Sequence, residues 1–314
     1  MVNITKGMIG GDMGRGIPQR KESEIMDQKS KRAPAPGIDP KSLLRPVPTG
    51  LSGEGREAQE AARRSEFLTT ALLGIFNPNN GYNDFQNALA NIDYTLADIE
   101  KICRKIEINH NTGFFISAAI NKIITENDTV TLDFNGSAVT RVAYLLQKRH
   151  VILSGPAGDY AGAEMSGSAS LTINGNAGDL AGHGMSGSAR LTINGSAGGY
   201  AGTDMSDSAR LTINGSAGSY AGAGMSDSAR LTINGSAGSY AGSGMSGSAR
   251  LTIKQNAGKE VGYDSLGGTI EIWGTIDHIA AWPGAEIRKV GPGFFGFFRR
   301  SAIASDYDTV HPGF

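Results

Sequence analysis

The feature that most constrains this chain is a repeat of twenty residues. From residue 153, five consecutive blocks align without a gap: LSGPAGDYAGAEMSGSASLT, INGNAGDLAGHGMSGSARLT, INGSAGGYAGTDMSDSARLT, INGSAGSYAGAGMSDSARLT and INGSAGSYAGSGMSGSARLT. The last two differ only at Ala223/Ser243 and Asp227/Gly247. A catalytic constellation is needed once, whereas near-copies of a short block suit a part that is stacked. Degenerate blocks flank the five: VTLDFNGSA at 130–138 before them, NAGKEVGYDSLGGTIEIWG and TIDHIAAWPGAEIRKVG across 256–291 after them. Decay at both ends is expected of terminal coils, which face water or another domain instead of a copy of themselves.

Inside a block the pattern is that of a strand. In SARLTING (188–195), Ala189, Leu191 and Ile193 alternate with Arg190 and Thr192, a period of two. Asn194 and Gly195 then read as a turn in left-handed backbone, and the Ala-Gly and Gly-Met steps place small residues where the chain bends. This accounts for 45 glycines in 314 residues, about twice the usual share. Wound as a parallel β-solenoid, each strand pairs with its equivalent one coil on, about 4.8 Å away, and Leu, Ile, Met and Ala stack into a continuous core. The expected fold is mainly β, a right-handed parallel β-solenoid of about seven 20-residue coils with a small α-helical N-terminal domain.

AGDYAG (157–162), AGDLAG (177–182), GHGMSG (182–187) and LGGTIEIWG (266–274) resemble the repeats of the GXGXG domain, a right-handed β-helix. The family includes the C-terminal domain of the glutamate synthase large subunit and one of the subunits of formylmethanofuran dehydrogenase. The resemblance covers about 130–291. The family usually runs Met-Ser-Gly-Gly-x-Ile, whereas these coils run Met-Ser-x-Ser-Ala-Arg-Leu, one residue longer. It implies a scaffold or coupling element, with the chemistry in other domains or subunits. Glutamate synthase needs an N-terminal cysteine nucleophile, a flavin barrel and iron-sulfur cysteines; here Cys103 is the single cysteine and falls in an expected helix. The resemblance therefore points to a non-catalytic protein, an accessory subunit of an oxidoreductase-type complex or an assembly-forming chain.

The rest of the chain divides around the repeats. Residues 1–53 are rich in proline, glycine and charge and read as a disordered tail. From 54 to 125 the pattern becomes helical. A helix is expected across 83–92, a second across 96–107 with Thr95 as its cap and Asp98 three residues on, and a third across 113–124. This small domain is placed to cover the first coil of the solenoid, 126–291. Residues 292–314 form an aromatic cap or tail. One cysteine argues against a disulfide framework, and the N-terminus lacks the apolar core of a signal peptide, so a cytoplasmic location is expected. A net charge of -1 gives no overall attraction to nucleic acid.

The residues supply no catalytic, cofactor-binding or metal-binding set. The Gly-x-Gly steps lie between strands, whereas a nucleotide fingerprint needs a helix after the glycines. Asp204, Asp207 and Asp227 do not recur in every coil as calcium-binding repeats require. His110, His150, His183, His278 and His311 lack metal-ligand spacing. The Asn-Gly-Ser sequons at 194, 214 and 234 are glycan acceptors only in a secreted chain.

Two interaction features remain. Arg190, Arg210, Arg230 and Arg250 occupy the same point of four coils and should form a column of like charges about 5 Å apart. The plain expectation is surface arginines partly balanced by Asp207 and Asp227. The alternative is a binding module that presents a repeated Arg/Thr face, with Thr172 to Thr252 alongside, to an anionic partner or surface. The second feature is GPGFFGFFRR (291–300), in which Phe294, Phe295, Phe297 and Phe298 are expected to cap the last coil. An anchor to a partner or membrane surface is the lesser reading. A protein partner or self-association is the expected mode of action.

Overall fold

The computed structural model describes residues 81–90, 93–104, 106, 108–123, 129–278 and 284–290, the backbone of 296–298, and scattered helical positions between 55 and 66. The expected tail at 1–53, and Phe294 and Phe295, lie outside the described residues.

After those scattered helical positions, three helices with described bounds precede the repeats: α1 (Tyr82–Leu89), α2 (Leu96–Cys103) and α3 (Thr112–Ile123). Tyr82, Phe85 and Leu89 bury one face of α1, the three-and-four spacing of an amphipathic helix. At α2 the expected cap is present: Thr95 Oγ1 accepts the Asp98 N–H at 3.3 Å and Asp98 Oδ2 accepts the Thr95 N–H at 2.8 Å. The helix stops at Cys103 and not at 107, although the Ile106 N–H still reaches Ile102 O at 2.9 Å. Asn109 then turns the chain, its Oδ1 accepting the Asn111 N–H at 2.9 Å just ahead of α3.

The solenoid follows as nine parallel strands, about eight turns: β1 (Thr129–Leu132), β2 (His150–Leu153), β3 (Ser170–Ile173), β4 (Arg190–Ile193), β5 (Arg210–Ile213), β6 (Arg230–Ile233), β7 (Arg250–Ile253), β8 (Thr269–Ile272) and β9 (Glu286–Lys289). A last strand, β10 (Gly296–Phe298), pairs antiparallel with β9 and reverses the winding. From β2 to β7 every strand aligns with the residue twenty positions on, so Leu191 meets Leu211 and Ile193 meets Ile213. The step then shortens, with Arg250 opposite Thr269 and Thr269 opposite Glu286. At the first of these shortenings one left-handed glycine, Gly268 at φ 89°, makes the turn that Ser248 and Ala249 make one coil earlier.

Each coil sends the same residues inward. Ala189, Leu191, Ile193, Ala201 and Met205 are all at most 1% exposed, and their equivalents repeat along the axis. Burying each of the three larger side chains is worth roughly 1.5–3 kcal/mol. The small alanines let a twenty-residue coil close without a void.

The expected turn geometry is present in part: the chain bends at Asn194 and Gly195, and the left-handed Gly202 belongs to an expected Ala-Gly step. Asn194 and Gly195 are absent from the left-handed positions, which in this coil are Tyr200 (φ 59°), Gly202 (67°), Asp204 (56°) and Asp207 (54°). Gly195 is needed for space: a Cβ there would stand 2.8 Å from the backbone of Gly175 and Asn176 in the preceding coil.

The first coil needs its open end covered, and α3 does this with side chains as well as bulk. Ser117 Oγ accepts the Tyr144 N–H at 3.1 Å, and one turn on Asn121 Nδ2 donates to Leu145 O at 3.3 Å. Gly113 lies so close to Thr140 and Arg141 that no side chain fits between. These bonds and the close approach fasten α3 to the first coil and cover its open end.

Candidate functional site

In-register stacking turns every outward position into a column, and the β-face carries two. The first runs His150, Ser170, Arg190, Arg210, Arg230, Arg250, Thr269 and Glu286; the second runs Ile152, Thr172, Thr192, Thr212, Thr232, Thr252, Glu271 and Arg288. Arg190, Arg210, Arg230 and Arg250 are all exposed, and the threonines beside them are half-buried. The four arginines therefore form the column that the repeat predicts.

The charges around them are arranged differently from expectation. Asp207 Oδ2 accepts the Gly187 N–H at 2.9 Å, and Asp227 Oδ2 accepts the Asp207 N–H at 3.2 Å and the Ser226 hydroxyl at 3.1 Å. These aspartates sit in left-handed turns and serve the backbone of the coil below, and among the described residues neither forms an ion pair with the arginines. The carboxylate that does is Glu271, whose Oε1 lies 3.1 Å from Arg250 Nη1 and 3.8 Å from Arg288 Nη1. Among the described residues Arg190, Arg210 and Arg230 have no such ion pair.

Three further columns escape the sequence reading. Asn194, Asn214 and Asn234 each donate from Nδ2 to the Oδ1 of the asparagine one coil below, at 2.8, 3.0 and 2.9 Å, with Asn174 at the foot. Ser196 and Ser216 cap the N–H of Ser216 and Ser236 in turn, each at 3.1 Å. Tyr200, Tyr220 and Tyr240 stack face to face. Their signal is the one that marks the arginines, since any residue repeated at a spacing of twenty stands on its own copy. The asparagine ladder also engages the nitrogen that a glycan at the 194, 214 and 234 sequons would occupy.

The remaining candidates are dispersed. His183 Nδ1 lies 2.9 Å from Thr203 Oγ1 and 3.7 Å from Asp204 Oδ2, and His278 faces Glu260 at 3.6 Å. Among the described residues no group of three histidine, cysteine or acidic side chains is placed to hold a metal ion. Burial pushes the Cys103 thiol up to about 12, which keeps it out of the thiolate form. A cleft of about 500 Å³ between the helices and the first coils is lined by polar groups including Tyr82, Gln86, Asn121 and Gln147. No described helix is long and apolar enough to cross a membrane. Of the expected cap, the backbone of Phe297 and Phe298 lies opposite Arg288 and Ile287 on the last edge.

The chain matches no family model, no curated protein and no solved structure. Its functional reading therefore rests on its own geometry and on the residues that resemble GXGXG repeats.

Proposed function

We propose that the chain is a non-catalytic scaffold, a rigid rod of identical coils that holds partners at fixed spacing. The observation that carries this reading is the registry of the coils. Strand residues pair with their own copies over β4 to β7, and three outer columns add ladder hydrogen bonds or ring stacking to the shared core. Such a rod has nearest-neighbour stability and a length set by repeat number. The helical layer over its first coil and β10 across its last oppose uncontrolled growth from the strand edges, which favours lateral partners over end-to-end polymers.

The resemblance to GXGXG repeats supports a more specific partner, the catalytic chain of an oxidoreductase-type complex, and with it a cytoplasmic setting. Purification of the tagged full chain from its native cell, with native mass and identification of bound chains, tests this. A stoichiometric complex with a redox enzyme is expected. Assemblies of this chain alone would replace the accessory-subunit reading by a shell or filament role. Substrate turnover by the purified chain would overturn the scaffold reading itself.

A further inference from the structure

We infer that the Arg/Thr face is a ladder of oxyanion subsites that takes a linear oligophosphate along the solenoid axis; this is independent of the scaffold reading. The protein displays one occupied rung of its own. Glu271 stands in the threonine column one coil beyond Arg250, and its carboxylate meets the Arg250 guanidinium at 3.1 Å. An anionic oxygen held over the threonine column is thus within reach of the arginine one coil below. The same relation recurs three times without a carboxylate: Arg190 with Thr212, Arg210 with Thr232 and Arg230 with Thr252. Each rung offers a guanidinium fork and a neighbouring hydroxyl, donors suited to a tetrahedral oxyanion.

Charge density selects the ligand. Guanidinium groups one coil apart, about 4.8 Å, repel one another, and balancing them needs at least one negative charge per coil along a line. An extended acidic peptide lying along the axis presents one side chain per roughly 6.8 Å on a given face and falls short. A nucleic-acid strand in stacked, duplex-like form is dense enough, with one charge per about 3.4 Å, but single-strand binding sites add aromatic platforms for the bases. The outward positions of β3 to β7 are serine, arginine and threonine only. A bare oligophosphate needs no platform, and three rungs span roughly 10 Å.

The test is calorimetric titration of the full chain with sodium tripolyphosphate against orthophosphate, at low and moderate salt. Tripolyphosphate should bind at least about tenfold more tightly than orthophosphate, and binding should weaken as salt screens the charges. The R190Q/R210Q/R230Q variant should keep the wild-type melting temperature or exceed it slightly, because like-charge repulsion is gone, and should lose at least about tenfold in affinity, a few-fold per exposed pair. E271T should act in the opposite direction: it frees Arg250, extends the threonine column and should tighten binding several-fold. Equal affinity for the two phosphates, or wild-type affinity in the triple variant, would overturn the proposal. So would an E271T variant that binds no better, or a polyglutamate or single-stranded oligonucleotide of equal charge that binds more tightly than tripolyphosphate.

Discussion

The rings of Tyr200 and Tyr220 lie 4.8 Å apart and 1° from parallel, and Tyr240 continues the stack at 4.8 Å and 5°. All three residues sit in left-handed backbone, at φ 59°, 60° and 60°, a conformation that costs a residue with a side chain roughly 1–2 kcal/mol. Ring pairs return roughly 0.5–1.5 kcal/mol each, so the stack offsets the strain of its own backbone. Tyr220→Ala removes two ring contacts and keeps the strain, and should destabilise by about 1–3 kcal/mol. Tyr220→Gly removes the contacts and the strain together and should cost about 1 kcal/mol less than the alanine. Denaturant titration of both variants checks this; a glycine variant as unstable as the alanine one means that the stack is not compensating the turn.

The same column has a pH signature. Burial, and then the neighbouring Tyr200 and Tyr240, raise the Tyr220 phenol above its ordinary value of 10.0. The folded state therefore holds the phenolic proton more tightly than the unfolded chain does. The associated stability is complete below pH 10 and is lost as pH rises through the folded-state value. Alkaline difference spectroscopy should show one late-ionising tyrosine fewer in a variant with both neighbours changed to serine than in wild type.

The asparagine ladder distinguishes interior rungs from ends. Asn214 donates to Asn194 and accepts from Asn234, whereas Asn174 accepts from Asn194. Asn214→Ala breaks two bonds and leaves a donor and an acceptor to be satisfied by water, a loss of about 1–2 kcal/mol; Asn174→Ala breaks one and should cost about half as much. Thermal melts of the pair measure the difference. Equal losses would mean that the ladder contributes nothing beyond the separate side chains.

The winding, strand phase and inward residues were legible because they depend only on period. Twenty-residue spacing stacks Leu191 on Leu211, and alternation points both inward. The turns were not legible in the same way. Asn-Gly is a favoured left-handed pair in hairpins, but in a stacked coil the distance to the next coil also constrains each glycine. At Gly195 that distance decides, and Tyr200, a residue rarely assigned to left-handed backbone, takes the strained position. For the candidate site, repeat spacing is enough to place the arginine column. The role of Asp207 and Asp227 is not readable from spacing, since it depends on which way two short carboxylates lean.

Two kinds of glycine follow from this and can be separated by substitution. Gly244 is left-handed at φ 66° with nothing closer than 3.8 Å to an added Cβ, and its equivalent Asp204 already carries a side chain at φ 56°. Gly244→Asn should therefore stay within about 0.5 kcal/mol of wild type. Gly195 has ordinary backbone but no room, and Gly195→Ala should cost about 1–3 kcal/mol by forcing two coils apart. If left-handed backbone were the demand at both sites, the order of the two variants would reverse.

The repeat itself gives the most demanding test. Deleting residues 213–232 joins Thr212 to Ile233, and because Ile233 stands where Ile213 stood, the strand at 210–213 is rebuilt with the same four residues. Asn234 then falls on Asn194, Tyr240 on Tyr200, and Gly244 on Asp204, so every column closes again. The hydrogen bond from the Asp207 N–H to Asp227 is lost with its acceptor. Stability should fall modestly, by one repeat and one interface, and the rod should shorten by about 4.8 Å. Deleting only 213–222 removes a similar class of residues but half a turn. Ala223 would then stand where Ile213 belongs and Met225 where Gly215 belongs, so a large side chain would meet the close approach of two coils and the inward residues beyond it would face turn glycines. That chain should aggregate or unfold, with loss of its β-type circular dichroism, while the full-coil deletion keeps it; equal damage from both deletions would show that the coils are not interchangeable units.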